Sequence, residues 1–153
     1  MAEPARPDGL VDQVSDLVRE VARTVVLPRY QRLRATDVHE KGPGDLVTVA
    51  DQEAEAALTT GLTRLLPGSG VVGEEAVAAD PTVLRRLGGT GPVWLVDPVD
   101  GTANFAAGHT PFAVMVALLR DGETAAAWIL DVVGDRMVVA EAGSGVQIDG
   151  VQV

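Results

Sequence analysis

The chain has 153 residues, a length that fits one domain, and its 46% hydrophobic and 22% charged side chains can build a core beneath a charged surface. Twenty-two acidic residues against twelve basic ones give a formal charge of -10, which argues against a nucleic-acid partner held by phosphate neutralisation. Without cysteine there is no disulfide, no thiolate metal site and no cysteine nucleophile.

Residues 1–7, with Pro4 and Pro7, read as a disordered leader, and the folded portion is expected over 8–153. The leader lacks the apolar core of a signal peptide. The longest apolar run, Phe112 to Leu119, has eight residues, against about 20 for a membrane helix. A soluble, cytoplasmic protein with no membrane partner is the expectation.

Asp8 is placed to cap a first helix, in which Leu10, Val14, Leu17, Val21 and Val25 recur at helical spacing until Pro28 ends or kinks it. Lys41-Gly-Pro-Gly-Asp45 reads as a loop and Leu46 to Val49 as a short extended stretch. A second helix is predicted from about Ala50 to Leu66, with Ala54, Leu58, Leu62 and Leu65 on one face and Pro67-Gly68 after it. Val71-Val72 and Val93 to Val96 read as buried strands. From Phe112 the chain reads as a meander over 112–120, 123–133, 136–141 and 146–148. Asp121-Gly122, Gly134-Asp135, Gly143-Ser144-Gly145 and Asp149-Gly150 supply its turns. The fold class is therefore α/β, two helices followed by a mainly antiparallel sheet.

The densest chemical signal is Trp94-Leu-Val-Asp97-Pro-Val-Asp100-Gly-Thr102-Ala-Asn-Phe105, an apolar strand ending in two carboxylates. Pro98 restricts the backbone and Gly101 frees it, so the segment can aim Asp97 and Asp100 into one space. Clustered carboxylates repel one another unless a cation lies between them, and hard oxygen ligands suit Mg²⁺. The amides of Gly101 and Thr102 would face an anion if a helix begins there. The plainer alternative is an acidic turn with Asp97 or Asp100 as a helix cap. Gly73-Glu74-Glu75 offers two more carboxylates, or a solvated pair at a strand end. In Asp45-Leu-Val-Thr48-Val-Ala-Asp51, Thr48 or Asp51 also reads as an N-cap. Their co-occurrence is the reason to gather all three segments around a metal. His39 and His109 lack partners at ligand spacing, Ser144 lacks the flanks of a nucleophile elbow, and Trp94 and Trp128 read as core.

In this order and at these intervals, Asp45-Leu-Val-Thr-x-x-Asp51, Gly73-Glu-Glu75 and Trp94-x-x-Asp97-Pro-x-Asp100-Gly-Thr-x-Asn-Phe105 closely resemble the inositol monophosphatase family. The resemblance implies a layered α/β/α/β/α sandwich, of which this chain is the N-terminal portion, and Mg²⁺-dependent hydrolysis of a small phosphorylated metabolite. Glu74, Asp97 and the Val99 carbonyl would match the ligands of a first metal, and Asp97 with Asp100 those of a second. Thr102, oriented by Asp51, would help Glu74 position and activate the attacking water, and Gly101 and Thr102 would bind the substrate phosphate. Glu75 is read as a neighbour without metal contact. Inositol 1-phosphate is the first substrate, with histidinol phosphate, fructose bisphosphate and phosphoadenosine phosphate as alternatives. The family's Trp-Asp-x-Ala motif, whose aspartate completes the second metal site, does not occur in these residues. Together with Val151-Gln-Val153, which reads as an opening strand, its absence predicts a truncated chain. Such a chain is expected to be either the N-terminal portion of a larger phosphatase or a non-catalytic remnant that binds a metal or a partner, and on its own to self-associate, with a homodimer as the soluble form.

Overall fold

In the computed structural model, which describes residues 9–153, the first apolar stripe forms α1, Leu10–Val21, with Leu10, Val14, Val18 and Val21 buried. Asp8, the expected cap, and the leader over 1–7 lie outside the described residues. A wider π-type turn, Ala22–Val26, and a tighter 3₁₀ turn, Leu27–Arg29, prolong the helix to Tyr30, where the backbone becomes extended. Pro28 lies in the first positions of that last turn, where a missing N–H costs nothing.

β1, Val38–Gly42, and β2, Asp45–Thr48, form an antiparallel hairpin that turns at Pro43-Gly44, with Gly44 at φ 74°. The segment expected to be a loop from Lys41 is thus largely strand. α2, Val49–Leu65, follows within a residue of its expected bounds. β3, Gly70–Gly73, and β4, Val93–Asp100, pair in parallel, which requires a crossover. It is supplied by α3, Glu74–Ala79, and a 3₁₀ helix, Pro81–Gly88, neither of which the sequence reading contained.

After α4, Thr102–Ala107, the chain forms β5, Ala113–Arg120, β6, Glu123–Asp131, β7, Arg136–Glu141, β8, Gly145–Ile148, and β9, Val151–Gln152. The sheet runs in chain order from β3 to β9, and every pairing after β3–β4 is antiparallel. The expected α/β class, two helices followed by a mainly antiparallel sheet, is what the structure has. The strand expected from Phe112 begins at Ala113, because Phe112 instead joins Tyr30 and Phe105 in an aromatic cluster with ring centroids 4.9 and 5.0 Å away.

One face of the sheet packs on α1 and α2. Trp94, Val96, Val114, Val116, Leu118, Trp128 and Leu130 meet Val14, Val18, Leu58 and Leu62 in a single core. Each such side chain contributes about 1.5–3 kcal/mol on leaving water. The two indoles meet at a tilt of 47° with ring centroids 5.9 Å apart, and their N–H groups donate to Ser69 Oγ and the Val11 carbonyl, so neither burial strands a donor. Over β5 and β6 the other face is half-buried or exposed, as at Ile129. No helix among the described residues is long and apolar enough to cross a membrane.

Candidate active site

β4 delivers the chemistry through a defect in its pairing. Asp97 lies opposite Met115 and Asp100 opposite Ala113, so three steps along β4 match two along β5. The surplus residue makes a bulge at Pro98-Val99, where proline has no ladder N–H to lose. A bulge re-aims side chains, and here it leaves Asp97 half-buried and Asp100 exposed at the strand end. Gly101, at φ 87°, then opens α4; a Cβ there would be strained and would lie 2.9 Å from the Pro111 carbonyl oxygen. No side chain caps this helix, so the reading of Asp97 or Asp100 as its cap is set aside.

Thr48 and Asp51 are both parts of one cap. Thr48 Oγ1 accepts from the Asp51 N–H, and Asp51 Oδ2 accepts from the Thr48 N–H at 2.8 Å and the Thr48 hydroxyl at 2.6 Å. Asp51 Oδ1 faces away from the helix and accepts from the Thr102 hydroxyl at 2.9 Å. Asp51 is fully buried, and burial raises its pKa against the pull of these donors. The Thr102 hydroxyl also lies 2.8 Å from the Val99 carbonyl. It has one proton to give, and an ionised carboxylate is the stronger acceptor, so the Val99 oxygen keeps lone pairs for another partner.

The second acidic segment starts α3. Glu74 is half-exposed, whereas Glu75 is largely buried, and Lys41 Nζ lies between them at 3.2 and 3.0 Å. Lys41 is the chain's one lysine. Burial pulls its pKa down, but the Glu75 and Glu74 carboxylates outweigh that, and the ammonium is held more firmly than usual. Burial raises the Glu75 carboxyl. Beneath them, Glu55 on α2 accepts from the backbone N–H groups of Glu75 and Ala76.

Asp97 is the strained member. Burial, the Glu74 carboxyl beside it and the charges of Asp100 and Asp51 push its pKa up to about 8. Its Oδ1 is buried and, unlike either oxygen of Asp51, has no hydrogen-bond partner. An orphaned carboxylate oxygen among other carboxylates is the donor set that suits a hard divalent cation, and the residues fit one. Among the described residues the carboxylates are not drawn into a ligand set of three or more, and Lys41 holds Glu74 instead.

The structure therefore brings Asp51, Thr102 and Val99 into direct contact and puts Glu74 and Asp100 within electrostatic reach of Asp97. Sequence reasoning missed Glu55 and the placement of Lys41. Glu55 carried a signal, since it stands four residues after Asp51 and three before Leu58, on a helix face that is otherwise buried. His39 and His109 are exposed, and Ser144 is an exposed turn residue.

A family model described as the inositol monophosphatase family matches residues 10–153. An inositol-1-monophosphatase of Rhizobium meliloti (strain 1021) is 33% identical over 147 residues, covering 95% of this chain and 50% of its own length. The solved extragenic suppressor protein suhB of Bartonella henselae superposes with a TM-score of 0.79 at 28% identity, over 95% of this chain and 53% of that one. For the Thermotoga maritima IMPase the TM-score is 0.78 at 26% identity, over 94% and 52%. The chain spans about half the length of the relatives it matches.

Proposed function

The chain belongs to the inositol monophosphatase family, and from that premise we propose that it carries the cation-binding portion of a phosphoric monoester hydrolase. The substrate class is a small phosphorylated metabolite, with inositol 1-phosphate first among the candidates, and the cation is Mg²⁺. The observation that carries the reading is Asp97. A half-buried carboxylate with an unpartnered oxygen, crowded by Glu74 and Asp100, is costly to keep ionised unless a cation joins it.

In this reading Glu74, Asp97 and the Val99 carbonyl would hold one cation, and Asp97 with Asp100 would hold a second. Bound divalent cations would neutralise the phosphate's charge and make water nucleophilic near neutral pH. The rest falls to the chain's own groups. Asp51 commits the Thr102 proton, so a Thr102 lone pair is free to accept from an attacking water, which Glu74 would help to orient. The Gly101 and Thr102 amides, after the sharp turn at Gly101, would face the phosphate oxygens. Lys41 must release Glu74 for this arrangement to form.

Calorimetric titration with Mg²⁺ tests the site. The chain is expected to bind, and Asp97→Asn to lose binding by roughly 100-fold or more, a larger loss than that of an outer positioning group. Equal affinity in both proteins would end the reading. In a chain carrying the rest of the relatives' length, phosphate release from the four candidate monoesters then ranks the substrates.

A further inference from the structure

α2 sends two buried carboxylates from one face, four residues apart. Asp51 serves the turn after β4, and Glu55 serves the other acidic segment through its backbone. Glu55 Oε1 accepts from the Glu75 N–H at 2.8 Å, and Oε2 from the Ala76 N–H at 2.9 Å. Glu55 is only 8% exposed, so these two charge-assisted bonds replace most of its lost hydration. The approach also dictates residue 73, where a Cβ would collide with the Glu55 carboxylate. Gly73 has φ -98°, open to any residue, so the carboxylate's proximity and not the backbone conformation requires glycine.

Register completes the geometry. Gly73 pairs with Val96 across the parallel β3–β4 ladder, so Glu74 leaves β3 beside Asp97, the next residue of β4. What Glu74 does after that point depends on where the two following amides are fixed, and Glu55 fixes both.

We propose that Glu55 is a positioning residue of the cation site: its carboxylate clamps the turn from Gly73 to Ala76, holds Glu74 toward Asp97 and raises cation affinity without touching the cation. The inference rests on the site reading given above. It makes Gly73 and Glu55 a coupled pair, since a side chain at 73 is excluded only while the carboxylate is present.

Titration with Mn²⁺, followed by calorimetry on the whole chain, tests it. Glu55→Gln keeps one acceptor and sets an amide NH₂ against the other backbone N–H, and affinity should fall roughly tenfold or more, as when groups that orient metal ligands are removed. Leu58→Ala, on the same buried face but away from the clamp, supplies a destabilised control whose affinity should stay within about twofold of the original, since it changes packing and no ligand. Gly73→Ala should reproduce the Glu55→Gln loss, yet add nothing in a Glu55→Ala background, where its methyl group has room. Equal losses in Leu58→Ala and Glu55→Gln would reduce Glu55 to a stabilising contact and overturn the inference. Binding lost in Asp97→Asn but retained in Glu55→Gln and Gly73→Ala overturns it alone. An original chain that binds no Mn²⁺ overturns the site reading and this inference with it.

Discussion

Asp51, fully buried, and Asp97, half-buried, are carboxylates whose pKa is raised first of all by loss of water, yet their surroundings are opposite. Both oxygens of Asp51 accept hydrogen bonds, from the Thr48 N–H and hydroxyl and from the Thr102 hydroxyl, and these tie α2 to the turn after β4. Asp97 stands at a bulge among like charges, with Oδ1 unpartnered. A satisfied buried carboxylate specifies structure. An unsatisfied one carries a cost that the rest of the fold must support, which is the mark of a group kept for a ligand. The contrast separates a group that holds shape from one that, in the function proposed above, would hold a cation.

The sharpest way to break the comparison is to remove each carboxylate and follow stability in a chelator. Asp51→Ala strands the buried Thr48 N–H and unties Thr102, and should cost about 2–4 kcal/mol in urea unfolding. Asp97→Asn removes a carboxyl that the folded, cation-free chain keeps only by protonating it or by bearing a repelled charge, so that chain should become more stable. If both substitutions destabilised the chain alike, Asp97 would be a structural group and the contrast would fail.

A smaller effect follows from pH. The folded chain keeps a proton on Asp97 until about pH 8, while the unfolded chain releases it near the usual value of 3.8. Between those values the native state binds more protons, so cation-free stability should fall as pH rises through the window. Asp51, Glu55 and Glu75, also raised by burial, push in the same direction. Urea midpoints at pH 5 and pH 8 in chelator should show the decline. Asp97→Asn should flatten it, and saturating Mg²⁺ should restore most of the loss at pH 8. A midpoint that rises with pH in the chelated chain would contradict the electrostatic description of Asp97.

Legibility in the sequence followed the strength of local signals. The strands from β5 to β8 were readable because apolar runs alternate with Asp-Gly and Gly-rich turns. β1 was not, since Val38-His-Glu-Lys-Gly42 offers no apolar alternation and is held by pairing with β2. The crossover of α3 and the 3₁₀ helix was hidden because six- and eight-residue helices carry too few turns to show a period. At the site, Pro98 between two aspartates announced a sharp bend, and the bulge is that bend. Lys41 could not be foreseen there, because 33 residues of chain separate it from Glu74 and only the β1–β2 hairpin closes the gap.

The finest test of the contrast lies within the Glu pair itself. Glu74 is 41% exposed and faces the cation site in our reading, whereas Glu75 is 11% exposed and held by Lys41 at 3.0 Å. Glu75→Gln removes the charge but leaves an amide oxygen that can still accept from the Lys41 ammonium, so the hairpin's anchor should survive. One long-range negative charge is lost near the cations, and partly exposed charges are screened, so Mg²⁺ affinity should change by less than about threefold. Glu74→Gln replaces a ligand oxygen and should cost far more. Calorimetry on the two variants decides it: matching losses would mean that Lys41 lets go of Glu75 as well as Glu74 when a cation arrives, and that burial does not divide the pair.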